Sequence, residues 1–229
     1  MERTKSEVLR YLGRKGHTVP PDLDGLVDEC IALMREAAVF RQIHLTFPIS
    51  MGAEGIEPVG TGLILRGKDI TRHLSGCWQA VLLAATLGAG ADALINRWKR
   101  VDQTRSLVLD ACATQLIEEG CDEIQRQIWA EAASRGLAAT GRFSPGYGDL
   151  SLEVQPGILE ALNAGRRIGL TCTEHYIMLP RKSVTALIGL SENAVIHTGG
   201  CVNCNLYDKC GFRSERTGDF DECERMAKE

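Results

Sequence analysis

Hydrophobic and polar residues alternate or recur along this chain with clear periods. Leu23, Leu26, Val27, Cys30, Ile31, Met34 and Ala38 recur at helical spacing after Pro20-Pro21, with Asp22 placed to cap the first turn. Ile43, Leu45 and Phe47 alternate with Gln42, His44 and Thr46, which predicts a half-buried strand over 41–50 with His44 on its polar face. A second strand is expected over 55–67, one or two helical turns over 69–74, and a fully buried strand over 78–87. Helices follow over 91–98 and, as the longest element, 102–135, ended by Gly136. At 1.5 Å per residue that second helix spans about 50 Å, enough to be the spine of a domain. Short helices are predicted over 6–12 and 157–164, and strands over 166–174 and 183–190.

Strands early, helices in the middle and strands late give an α+β class with an antiparallel or mixed sheet. Gly88-Ala89-Gly90 lies between a strand and a helix, but the next element is another helix. It therefore lacks the strand and acidic residue of a dinucleotide fingerprint and reads as the start of a helix. Three parts are expected: an α/β part over 1–100, a core over 101–195 and a cysteine-rich tail over 196–229.

Composition narrows the function. The chain has 229 residues, 44 % of them hydrophobic, and a formal charge of −4, which argues against a broad nucleic-acid surface. No apolar run reaches membrane-spanning length and the first residues lack a signal peptide's apolar block, so a cytoplasmic location is expected. Nine cysteines then read as thiols or metal ligands. Cys30, Cys77, Cys112, Cys121 and Cys172 sit in apolar settings and read as core. Cys201, Cys204, Cys210 and Cys223, among glycines, suit a zinc ion or an iron–sulfur cluster, with His197 as an alternative fourth ligand. His73 and His175 show no evident partner in sequence and read as structural.

The stretch 141–156, GRFSPGYGDLSLEVQP, carries the candidate chemistry. Pro145-Gly146 is a tight-turn signal, and the turn would hold Arg142 near Tyr147. A guanidinium can grip a carboxylate with two hydrogen bonds and a tyrosine ring can stack, a pair suited to a small zwitterion.

Arg142-Phe143-Ser144-Pro145-Gly146-Tyr147 resembles the Arg-x-Ala-Pro-Gly-Tyr motif of the activation domain of cobalamin (vitamin B12)-dependent methionine synthase. Leu170-Thr171-Cys172-Thr173-Glu174, Met178-Leu179-Pro180 and Ser183-Val184 are similar to that family's downstream run, and Leu116-Ile117-Glu118 to a Leu-Ala-Glu segment. The likeness is greatest to the stand-alone activation subunits of anaerobic bacteria. It implies a curved antiparallel sheet packed with helices and a methyltransferase-class role in methionine biosynthesis. In that role S-adenosylmethionine (AdoMet) remethylates cob(II)alamin carried by a cobalamin-binding methionine synthase subunit. The electron comes from a flavodoxin or ferredoxin, which makes a cluster in the cysteine tail attractive. By the resemblance, Arg142 pairs with the AdoMet carboxylate, Ser144 and Tyr147 line the adenosyl part, and Glu118 offsets the sulfonium or the α-amino group. No general acid or nucleophile is implied, since the cofactor carries the chemistry. Two other classes stay open: a non-catalytic adaptor docking a corrinoid protein to its reductase, and an iron–sulfur electron-transfer protein. The sequence departs from the family pattern after Tyr147, where Gly148-Asp149-Leu150 stands.

Overall fold

A computed structural model describes residues 2–14 and 18–192. Helices α1 (Glu2–Tyr11) and α2 (Pro21–Ala37) lead into strand β1 (Arg41–Gly52) and its hairpin partner β2 (Gly55–Pro58). Then come α3 (Lys68–His73), β3 (Gln79–Thr86), α4 (Ala89–Lys99) and the long α5 (Gln103–Ser134). The two-residue β4 (Ala138–Ala139) follows, then α6 (Gln155–Ala161), α7 (Ala164–Ile168), β5 (Thr171–Cys172), β6 (Met178–Leu179) and β7 (Ser183–Ser191).

One five-stranded antiparallel sheet, in the order β2-β1-β3-β7-β4, organises the molecule. Its register explains the sequence pattern. Leu45, Leu82 and Leu187 lie side by side on one face, and Thr46, Val81 and Ile188 on the other. The first face packs Ile70 of α3 and Leu74 at its end, Ile158 and Leu159 of α6, and Ala164 and Ile168 of α7. The second packs α1, α2, α4 and α5 through Val8, Met34, Ala91, Val108, Ile117 and Ile128. Because β3 and β7 are covered on both faces, they read as continuous apolar runs, whereas β1 keeps its alternation. The α+β class, the antiparallel sheet and the long central helix are therefore as the sequence pattern implies. Strands of residues 1–100 and of 101–195 share this sheet.

Close backbone approaches fix the helical layer. A Cβ on Gly90 would lie 2.2 Å from the Ala37 carbonyl oxygen, and one on Gly120 would lie 2.2 Å from the Phe40 ring. Gly88, at φ 76°, turns the chain from β3 into α4, so the Gly-x-Gly stretch opens a helix.

Three expectations are corrected. Residues 166–174 do not form one strand. Ala164 and Ile168 are buried one helical turn apart in α7, Gly169 closes that helix at φ 71°, and only Thr171–Cys172 pairs, with Met178–Leu179. The strand expected over 55–67 is broken. Gly60 and Gly62 adopt positive φ, and Leu65 meets Ile56 through an isolated bridge. Asp22 makes no capping bond; Pro20 occupies the cap of α2 and Pro21 is its first residue.

Candidate functional site

The segment that leaves α5 runs along the sheet edge and turns back at Pro145-Gly146. Ala138 pairs with Ser191 and Ala139 with Leu190, but Phe143 pairs with Leu187. One extra residue therefore lies on this edge between Ala139 and Phe143, a bulge that re-aims the side chains around it. The side chain of Thr140 repairs the ladder: its Oγ1 accepts from the Gly189 amide at 2.8 Å. The same hydroxyl lies 2.9 Å from His73 Nε2, which is 3.0 Å from the Gly141 carbonyl. Trp129 Nε1 donates to the Thr140 carbonyl at 2.8 Å. Buried His73, Thr140 and Trp129 thus pin the segment on both sides. His73 is structural, as its sequence context suggested, and its partners are these distant groups.

Beyond the bulge, Phe143 packs on the α6–α7 side of the sheet while Arg142 points the other way, onto α5. Glu118, Asp122 and Gln125 are spaced i, i+4, i+7 and so form one stripe on that helix. Gln125 Oε1 accepts from the Arg142 amide at 3.0 Å and from its Nε at 3.2 Å. Arg142 Nη2 donates to Asp122 Oδ1 at 2.6 Å and to Glu118 Oε2 at 3.3 Å. The guanidinium is largely enclosed, its side chain only 16 % exposed. Burial, the largest influence on its pKa, opposes the charge, but Cys121, Glu118 and Asp122 outweigh it and raise the pKa above the ordinary arginine value. Burial pushes the Cys121 thiol up to about 12, so at neutral pH the two carboxylates supply the compensation.

The turn itself is built as the sequence requires. Gly146 sits at φ 89° and the Tyr147 amide donates to the Ser144 carbonyl at 3.0 Å, the arrangement of a Pro–Gly type II turn. Pro145 is buried, Ser144 half-buried, and Tyr147 exposed with its ring edge-on to Phe143 at 6.2 Å. Arg142 and Glu118 are therefore in direct contact, while Ser144 and Tyr147 lie on the turn beyond them.

Two contributors escaped the sequence reading. Asp149 reaches across to α3, accepting from the Lys68 amide at 2.6 Å and the Asp69 amide at 3.0 Å. These donors hold its carboxyl below the usual range. Gly67, at φ 140°, makes room for it: a Cβ there would lie 2.4 Å from Asp149 Oδ1. The second is Tyr11 on α1, whose ring lies under Arg10 and within electrostatic range of Glu118. Burial, the first cause, raises the Tyr11 pKa, with Arg10 opposing and Glu118 adding. An Asp-Leu after a Gly-Tyr-Gly turn is the one sequence signal that could have marked Asp149 as a cap.

Elsewhere, a groove of about 850 Å³ opens between the β1–β2 hairpin and α3, lined by Arg66, Lys68, Arg72 and Asp149 among others. It does not include Arg142 or Tyr147. Among the described residues no group of histidine, cysteine and carboxylate side chains could hold a metal. Cys201, Cys204, Cys210, Cys223 and His197 lie outside the described residues. Cys30, Cys77, Cys112 and Cys121 are buried free thiols and Cys172 is partly exposed. No helix among the described residues is long and apolar enough to cross a membrane.

No protein-family model matches this chain, and no curated protein matches it. A solved structure does: a crystal structure of the MetH reactivation domain bound to AdoHcy, at TM-score 0.57 and 17 % identity, over 76 % of this chain and 67 % of that one. The fold is reactivation-domain-like. In that neighbour the same kind of scaffold holds AdoHcy, the thioether left when AdoMet has lost its methyl group. At that identity the likeness carries the fold alone, and the chemistry of this chain has to come from its own residues.

Proposed function

We propose that this chain binds AdoMet and presents it to a cobalamin-bearing methionine synthase subunit for reductive methylation of cob(II)alamin. The observation that supports this is Arg142, held on the α5 stripe by Glu118 and Asp122 beside a Pro–Gly–Tyr turn, within a reactivation-domain-like fold. Arg142 would take the ligand's carboxylate, Glu118 its positive charge, and Tyr147 with the backbone at Ser144 the adenosyl part. These groups bind and orient, while the corrinoid, when bound to its partner, supplies the metal-centred chemistry. The one guanidinium is already paired, so a ligand carboxylate has to share it. Arginine's several N–H donors permit such sharing.

The chain would act as a reactivation subunit of the anaerobe type, in the cytoplasm, with flavodoxin or ferredoxin as reductant. Within it, 1–100 would support an AdoMet-binding core over 101–195, and the 196–229 tail would hold zinc or an iron–sulfur cluster through Cys201, Cys204, Cys210 and Cys223.

Calorimetric titration of AdoMet into anaerobically prepared protein tests the central claim. Saturable binding that weakens by about 2 kcal/mol in Arg142→Ala, the size of a lost charge-assisted hydrogen bond, is the expected result. Equal affinity in the variant refutes the assignment. A titration repeated with the corrinoid partner present separates an absent site from one completed by that partner, the adaptor reading being retained only if both fail.

A further inference from the structure

We infer that Gln125 is the positioning residue that aims Arg142 at a ligand carboxylate, and that the carboxylate docks end-on at Arg142 Nη1. The inference rests on the AdoMet reading above and names the donor and the supporting residue that reading leaves open. A free guanidinium offers five N–H donors and meets a carboxylate best side-on, through two parallel bonds. Here the edge that faces α5 is already taken. Gln125 Oε1 accepts from Arg142 Nε at 3.2 Å. Nη2 donates to Asp122 Oδ1 at 2.6 Å and to Glu118 Oε2 at 3.3 Å. Nη1 donates to none of these three side chains. The Cys121 thiol also bonds the guanidinium, but burial pushes its pKa up to about 12, so it is a neutral, weak acceptor. A ligand carboxylate that leaves the α5 bonds in place therefore docks on Nη1.

Gln125 decides where Nη1 points. One oxygen, Oε1, accepts both from the Arg142 backbone amide at 3.0 Å and from Nε at 3.2 Å. Tying the root and the far end of one side chain to one atom closes a ring, so the torsions between them cannot change separately. Glu118 and Asp122 hold the guanidinium through Nη2 alone and leave it able to pivot about that nitrogen. The amide of Gln125 is also neutral, so it orients the guanidinium without offsetting the charge that a ligand carboxylate needs. Gln125 itself is carried on the long helix α5, a rigid support for a residue of this kind.

Without Gln125 the guanidinium swings on Nη2 and Nη1 is spread over several directions. A ligand then has to order it on binding, which costs affinity. That cost falls only on a ligand with a carboxylate to dock. A ligand that keeps the adenosyl group, the sulfonium and the amine but lacks the carboxylate does not feel it. Gln125→Met separates the two cases. It keeps the length of the side chain, changes no charge, and replaces the amide oxygen by a thioether, a weak acceptor.

The test is titration of AdoMet and of decarboxylated AdoMet into the full chain and its Gln125→Met variant. Wild-type protein is expected to bind AdoMet about tenfold more tightly than the decarboxylated form, the scale of one charge-assisted hydrogen bond. In Gln125→Met that ratio is expected to fall to about threefold or less, with the affinity for decarboxylated AdoMet kept within about twofold. A ratio that stays at the wild-type value, or equal weakening of both ligands, makes Gln125 merely structural and overturns the inference. A ratio near one in wild-type protein also overturns it and leaves AdoMet binding standing. A second measurement needs no Gln125 variant: the Arg142 Nε–H signal in nitrogen-15 NMR, assigned with Arg142→Lys. It is expected to stay slow to exchange when AdoMet saturates the protein. Faster exchange would mean that the ligand takes the Nε edge, and overturns end-on docking. Saturable binding of neither ligand, with the corrinoid partner present or absent, overturns the AdoMet reading and this inference with it.

Discussion

The two halves of the 138–150 segment are held in opposite ways. The first half, through Phe143, is bonded to β7 and pinned by His73, Trp129, Thr140 and Gln125. The second half, from Gly146 to Asp149, is exposed, and the Asp149 carboxylate ties it across to α3. The charged group expected to grip a ligand thus sits on the rigid half, and the aromatic group expected to cover it on the exposed half. If Arg142 takes the ligand as proposed, its rigid placement would lower the ordering cost of binding, because its rotamer is set beforehand. Tyr147 is 59 % exposed, its ring edge-on to Phe143, on the side of the turn where the proposed ligand would lie.

Weakening the rigid half should have the largest effect. Thr140→Val removes the acceptor of the Gly189 amide and a partner of His73 while keeping the shape. Leaving a buried amide unsatisfied costs about 1–3 kcal/mol. A fall of that size in unfolding free energy is expected, read from the denaturant midpoint. A fall below about 0.5 kcal/mol would mean that the bulge is not held by this hydroxyl.

Cutting the tie of the second half should matter less. Asp149→Asn is expected to lower the melting temperature modestly and to raise amide exchange at Lys68 and Asp69. The sign with pH follows from the depressed native pKa. The stabilisation is fully present above the ordinary carboxylate pKa and is lost as pH falls through the native one. Wild type and variant should therefore converge in acid; a gap that persists there would contradict the carboxylate cap.

The smallest effect on stability is expected for Tyr147→Ala, within about 0.5 kcal/mol for an exposed side chain. Its effect on AdoMet affinity should be larger than on stability, about fivefold, in line with loss of a ring contact. A variant with lost stability and unchanged affinity would reverse the division between the two halves.

Local pattern made much of this molecule legible. The periods of α2, α5, β1, β3 and β7 follow from which faces meet the core, and Pro145-Gly146 dictates its turn through backbone freedom alone. Where local signals were short, they failed. The segment around Ile168 is apolar enough for a strand, and its helix depends on Ala164 and Ile168 both packing inward with Gly169 ending the turn.

The site divides along the same line. Glu118, Asp122 and Gln125 share a helix face by their spacing alone, and the sequence placed Arg142 beside a tight turn. That Arg142 points onto this face depends on the bulge opposite β7, because one extra residue on a strand decides which side a neighbour faces. That Asp149 caps a helix 80 residues away, and that His73 meets Thr140, depends equally on partners far along the chain. Periodicity reports how each residue relates to its own element; hydrogen bonds between elements exist only once the sheet has brought them together, and tertiary structure alone decides those.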